Sequence, residues 1–251
     1  CRWRVFIGDG MVLNEPATVL AEVSESLAAN FEFASLTPDS DGLADYSGPF
    51  KRDFRLEDFA HNVLARQCRE FALDVHLLQR ACYTSITRDH GETTAWEMAA
   101  EQWRAMAPVY IHRLRKLANI HSKDMSAILK LLQLDPYLPQ EYLVCGSALI
   151  NETHGRFWVE DCSALSDKPA GLVGLLLREN SPAISAPVGA INPKARVFPA
   201  SDCPEAKGMA VKAWDILIDD SHEPAPASDY TPLVAGEDMW DHDASNHRYY
   251  Y

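Results

Sequence analysis

The apolar positions along this chain change period partway through. Up to about residue 134 they recur every three or four residues, as on a helix with a buried face. Beyond about residue 140 they alternate or form short runs, as strands do. Arg2 to Ile7 reads as a short strand closed by the turn Gly8-Asp9-Gly10. Asn14 is a good N-cap and Pro16 suits a first helical turn, so a helix is expected to about Asn30. Thr37 to Pro49 is a turn-rich linker.

The strongest helical signal runs from about Asp53 to Arg88, without Pro or Gly. Phe59, Val63, Phe71, Val75, Leu78, Cys82 and Ile86 form one apolar face, and Leu64, Leu73, Leu77 and Ala81 a second. A helix apolar on two sides is expected at the centre of its domain. His90-Gly91 ends it. Thr93 or Thr94 is expected to cap the next helix, which carries Trp96, Met98, Ala99, Trp103 and Met106, is kinked or restarted by Pro108 and continues to Ala118. Ser122 is expected to cap a further helix through Leu134, and Asp135-Pro136 stops it.

The strand-like part follows. Tyr142 to Ile150 and Arg156 to Asp161 read as a hairpin with Gly155 in its turn. Leu172 to Arg178 reads as a short helix, and Arg196 to Phe198 and Ala213 to Asp219 as further strands. The fold class is therefore α+β, with an N-terminal helical layer packed on a C-terminal antiparallel sheet. One domain is expected over residues 1–220, helical at about 14–134 and β-rich at about 137–220. Residues 221–251 read as an extended acidic tail. Its end, Tyr249-Tyr250-Tyr251, suits docking on the body or on another subunit, as in a homo- or hetero-oligomer.

Composition narrows the partners. Acidic residues outnumber basic ones 36 to 23, for a net charge of −13, which argues against nucleic acid and anionic membranes. The longest apolar run, Gly171 to Leu177, falls well below the roughly 18–20 residues of a membrane span. Six scattered cysteines without a Cys-x-x-Cys pair suggest a reduced, cytoplasmic setting. No Gly-x-Gly-x-x-Gly after a strand, Gly-Lys-Ser/Thr loop, Gly-x-Ser-x-Gly elbow or His-Glu-x-x-His is present, so no cofactor is indicated.

Four constellations carry chemistry. Asp58 and His61, three apart, resemble half of a di-metal helical site, but no second copy exists, and solvated faces explain them more simply. His76, between Val75 and Leu77, is either a satisfied core histidine or a titratable group in a pocket. Cys145 and Cys162 stand about equally far from the hairpin turn and so read as cross-strand neighbours, packed thiols or a redox pair; His154 falls in the expected turn. Asp238, Asp241, His242, Asp243 and His247 make the tail a weak candidate for a divalent ion.

Several stretches carry a resemblance. Leu134-Asp135-Pro136-Tyr137-Leu138-Pro139-Gln140-Glu141-Tyr142 is followed by His154-Gly155-Arg156-Phe157-Trp158, Cys162-Ser163-Ala164-Leu165, Asn192-Pro193-Lys194-Ala195-Arg196 and Ala213-Trp214-Asp215-Ile216-Leu217-Ile218-Asp219. In this order, over about residues 53 to 220, they resemble an uncharacterised actinobacterial family common in mycobacteria. The resemblance implies a lipid- or steroid-like ligand class and transfers no catalytic residue. Helices followed by a hairpin also resemble ligand-binding and hydrolase domains of the vinyl-reductase type, a likeness of fold alone.

The expectation is thus an enzyme or enzyme subunit holding a small apolar molecule between helices and sheet. His76, Tyr83, Trp103, Tyr110, Trp158 and Arg196 are the candidate lining residues. Arg196 would hold a carboxylate or a coenzyme A phosphate, or else form an ion pair. The alternatives are a non-catalytic accessory subunit and a di-metal helical protein.

Overall fold

The computed structural model describes residues 17–37, 41–167 and 170–221. Among them the elements are α1 (Ala17–Ser24), α2 (Leu27–Asn30), α3 (His61–His90), α4 (Glu92–Ala118), α5 (Met125–Gln133), β1 (Cys145–Leu149), β2 (His154–Glu160), α6 (Ser163–Ser166), α7 (Gly171–Leu177), α8 (Pro182–Ile191), β3 (Ala195–Pro199) and β4 (Ala210–Ile218). The fold is α+β, with most helices N-terminal and the sheet C-terminal.

The sheet is wholly antiparallel, in the order β1-β2-β4-β3. The pleat sorts its side chains by face. Phe157, Val159, Trp214, Ile216 and Val197 join the main core on the helical side. Trp158 and Ala213 belong to a small second cluster on the outer side, the side to which Arg156, Asp215 and Arg196 also alternate.

α5 buries most of its residues. Asp124 caps it by accepting from the Ala127 N–H at 2.8 Å. Met125, Ile128, Leu129, Leu131 and Leu132 are all buried, each contributing about 1.5–3 kcal/mol. α5 lies on β1 and β2, so closely that a Cβ at Gly155 would come within 2.5 Å of Met125 Sδ. α8 packs on β3 and against α4; α3 packs on the same α4; α7 contacts both α3 and α4.

The structure revises several expectations. The two-sided apolar pattern predicts a central α3, but only Ala72, Leu73, His76 and Arg80 of that helix are buried, and Phe71 and Leu78 are exposed. The densely buried helices are instead α5 and α7. α3 starts at His61 rather than Asp53, after a single 3-10 turn at Leu56–Asp58. Leu43 bonds Asp58 O and the Ala60 N–H, which holds the chain extended at Phe59 and Ala60. The first expected helix is broken by Ser26, whose Oγ accepts from the Ala29 N–H and caps α2.

Gly91 and Asp124, not Thr93, Thr94 or Ser122, stand at the N-caps of α4 and α5. α4 continues through Pro108, flanked by buried Trp103, Ala107 and Ile111. His154 and Gly155 are strand residues, not turn residues. Cys145 pairs with Val159, and Cys162 sits beyond the strand at the N-cap of α6, so the two cysteines are not cross-strand partners. α8 has no counterpart in the pattern-based reading. Pro187 and Gly189 disguise it, although Ser181 at its N-cap and Pro182 at its first position are ordinary helix-start signals.

The expected strand at Arg2 to Ile7, the Asn14 and Pro16 signals, and tail residues 222–251, with their aspartates and histidines, lie outside the described residues. Among the described residues no helix is long and apolar enough to cross a membrane.

Candidate ligand-binding site

A cavity of about 270 Å³ lies where α3, α4 and the start of α7 meet. Its lining includes three small residues, Ala95 and Ala99 of α4 and Gly171 at the start of α7. Tyr83, Ile86, Trp103 and Leu175 complete the walls, and exposed Cys82 and Met98 stand at the surface end. The amides of Gln79 and Gln102 are the other polar groups in the lining, which contains no Asp, Glu, Lys, Arg or His. Gln79 also fixes α7, since its Oε1 accepts from the Leu172 N–H at 3.0 Å.

The Tyr83 phenol donates to Glu92 at 3.4 Å, and the same carboxylate oxygen accepts from Trp96 Nε1 at 3.1 Å. Burial raises the Tyr83 pKa, and the charge of Glu92 raises it further, so the phenol stays a donor. The Arg178 guanidinium lies 4.4 Å over the Trp96 ring in a cation–π contact.

Behind Trp103 lies a buried polar network centred on Tyr137. The Trp103 indole donates to Ala183 O at 3.0 Å, and its ring meets those of Tyr110 and Tyr137. His76 Nε2 lies 3.0 Å from Tyr137 O, which makes Nε2 the protonated nitrogen of the neutral ring. Burial pushes His76 down to about 4, and Arg80 adds to the effect. Asp135 accepts from the Tyr137 N–H and the Tyr110 hydroxyl, and burial pushes its carboxyl up to about 6. These groups bond one another, and none of them lines the cavity. The adjacent Arg80–Asp167 pair, 2.6 Å apart, also accepts the Leu27 N–H and ties α2 to α3.

The six candidate residues therefore divide. Tyr83 and Trp103 line the cavity, and His76 and Tyr110 stand behind it through Tyr137. Trp158 and Arg196 lie on the far side of the sheet, away from the cavity. Arg196 is exposed and rests 5.1 Å over the Phe198 ring. Tyr137 was missed because a loop residue between two prolines carries no periodic signal.

The outer face of the sheet holds an ionic chain. His154 and Arg156 both bond Asp215, and Arg156 reaches Glu205 at 2.7 Å. Burial pushes the Asp215 carboxyl up, but the His154 and Arg156 bonds outweigh it and hold the group below its ordinary value. Cys203 stands at the end of this chain, 3.9 Å from Glu205, and burial raises its thiol pKa, so it is not an activated thiolate. Burial likewise pushes the Cys145 thiol up.

Asp58 and His61 do not share a helix face, because Asp58 belongs to the 3-10 turn. Among the described residues no three His, Cys, Asp or Glu side chains come together as metal ligands would. A larger hollow of about 570 Å³ is lined by the extended segment Phe31 to Leu36 and by Asn62 and Arg66 of α3.

No protein-family model matches the chain, no curated protein matches its sequence, and no solved structure matches its fold.

Proposed function

We propose that the chain binds a small, uncharged, largely apolar molecule in the cavity between α3, α4 and α7. The observation that carries this reading is the lining itself, which is apolar apart from a thiol, a phenol and two amides. Seating an unpaired charge there would cost several kcal/mol or more, whereas apolar surface gains about 25 cal/mol per Å² buried. Size limits the ligand as well. The 270 Å³ cavity exceeds the ~150 Å³ that holds benzene and falls just short of the ~300 Å³ at which drug-sized sites begin. A one- or two-ring compound or a medium-length alkyl chain suits it; a steroid skeleton would have to protrude past Cys82 and Met98. The Gln79 and Gln102 amides would orient a carbonyl or hydroxyl, and the Tyr83 phenol oxygen, its proton held by Glu92, would accept from a hydroxyl.

The test is titration with the neutral dye prodan, followed by displacement with straight-chain alcohols and with carboxylates of equal length. Alcohols should displace the dye at concentrations about tenfold lower than the carboxylates, a difference of about 1.4 kcal/mol. Ala99→Phe, which fills the cavity, should abolish dye binding. Unchanged dye binding by that variant would rule the cavity out as the site.

A further inference from the structure

α3 carries an apolar strip that the described residues leave largely bare, with Cys68, Phe71, Leu78 and Cys82 exposed and Val75 half-buried. Cys68, Phe71, Val75, Leu78 and Cys82 follow at alternating steps of three and four, the seam period of a helix that packs lengthwise on another helix. Phe71 is 54 % and Leu78 62 % exposed, while the helix buries its opposite side through Leu73, His76 and Arg80. The strip runs to the cavity mouth, where Met98 of α4 adds a side chain 51 % exposed.

Charge selects the occupant. Asp74 lies between Phe71 and Leu78 in the sequence, and Glu97 precedes Met98; both are exposed, and neither has an ion-pair or hydrogen-bond partner among the described residues. A second copy fits poorly. Val75 is the midpoint of the strip, so a two-fold pairing would set Asp74 near its own copy, between chains that each carry −13. We propose that the strip receives an amphipathic helix of a partner protein, with apolar residues at the same spacing and Lys or Arg along its borders. Seated there, the helix would extend toward Cys82 and Met98 and bear on access to the cavity. The proposal stands on the exposed strip and does not depend on the ligand reading.

The test uses dye-labelled Leu/Lys and Leu/Glu helical peptides of about 18 residues, five turns, titrated into the full chain and followed by fluorescence anisotropy. The Leu/Lys peptide should bind, and the Leu/Glu peptide at least about tenfold more weakly. Phe71→Ser with Leu78→Ser should weaken Leu/Lys binding about tenfold, and Asp74→Asn severalfold, with circular dichroism confirming that the variants are folded. Leu117→Ser, at an exposed leucine on α4, serves as the control for non-specific attraction and should change nothing. Equal losses in the strip and control variants, or no loss in either, would overturn the proposal. So would a parent chain that is dimeric by light scattering and becomes monomeric with Leu78→Ser, because the occupant would then be a second copy. Ala99→Phe should leave peptide binding intact, which separates this proposal from the cavity reading.

Discussion

The Tyr110 hydroxyl donates to the Asp135 carboxylate at 2.8 Å inside the protein, and Tyr137 links that carboxylate to His76. Asp135, pushed up to about 6, and His76, pushed down to about 4, titrate abnormally in opposite directions.

Their effects on stability oppose one another. Between about 4 and 6 the folded chain holds a proton on Asp135 that the unfolded chain lacks, so this contribution falls as pH rises. Between 6.5 and about 4 the unfolded chain holds a proton on His76 that the folded chain lacks, so this contribution falls as pH drops. At about 1.4 kcal/mol per pH unit, each is worth on the order of 3 kcal/mol across its window. Asp135→Asn should therefore steepen the loss of stability between about pH 6.5 and 4.5, and His76→Gln should flatten or reverse it, in urea unfolding at each pH. Parallel slopes in all three proteins would contradict this linkage.

Arg80→Ala should be among the most damaging single changes. The side chains of Arg80 and Asp167 are only 8 % and 13 % exposed, so removing one partner leaves a buried charge. The expected cost is about 3–5 kcal/mol, read from the urea midpoint at constant m-value. A loss below 1 kcal/mol would mean that water reaches Asp167.

Gly146→Ala should act at a distance through Trp158. These residues face each other across β1 and β2, and a Cβ at position 146 would lie 2.2 Å from the indole. Moving the ring breaks its 2.9 Å bond to Glu160. A loss of about 1–3 kcal/mol with a red-shifted tryptophan emission is expected. An unshifted spectrum would show that the sheet moves instead.

Thiol chemistry should divide the cysteines. In a Cys1→Ser background, Cys68 and Cys82 are exposed and should react quickly with a disulfide reagent, and Cys145, its thiol pushed up by burial, slowly. Mass-mapped labelling checks the order, and early labelling of Cys145 would mean that β1 opens.

Much of the fold was legible because its signals are local. The alternation Trp214, Ile216, Ile218 identifies β4, and the dense aliphatics of α5 mark a helix before its burial is known. What was not legible depends on partners. The strip at Phe71, Val75 and Leu78 has the same pattern as a core face, and only tertiary packing shows that α3 leaves Phe71 and Leu78 bare. Period two separates Phe157 from Trp158 without telling which side meets the helices, so Trp158 and Arg196 were assigned to the wrong face. The cavity is harder still to foresee, because Ala95, Ala99 and Gly171 matter only once two helical segments and a distant third meet.

The strand order carries a consequence for the making of the protein. β2 forms its second ladder with β4, whose residues follow those of α6, α7, α8 and β3. On the ribosome the β1–β2 hairpin therefore emerges well before the strand that completes it, leaving Gly155, Phe157 and Val159 beside an open edge. Ribosome-bound chains halted after the hairpin has left the exit tunnel but before β4 (Ala210–Ile218) has done so would present that edge to solvent or to other nascent chains. Closure of the sheet is thus a late event in the life of the chain, and the interval before it is when assistance from chaperones would count most.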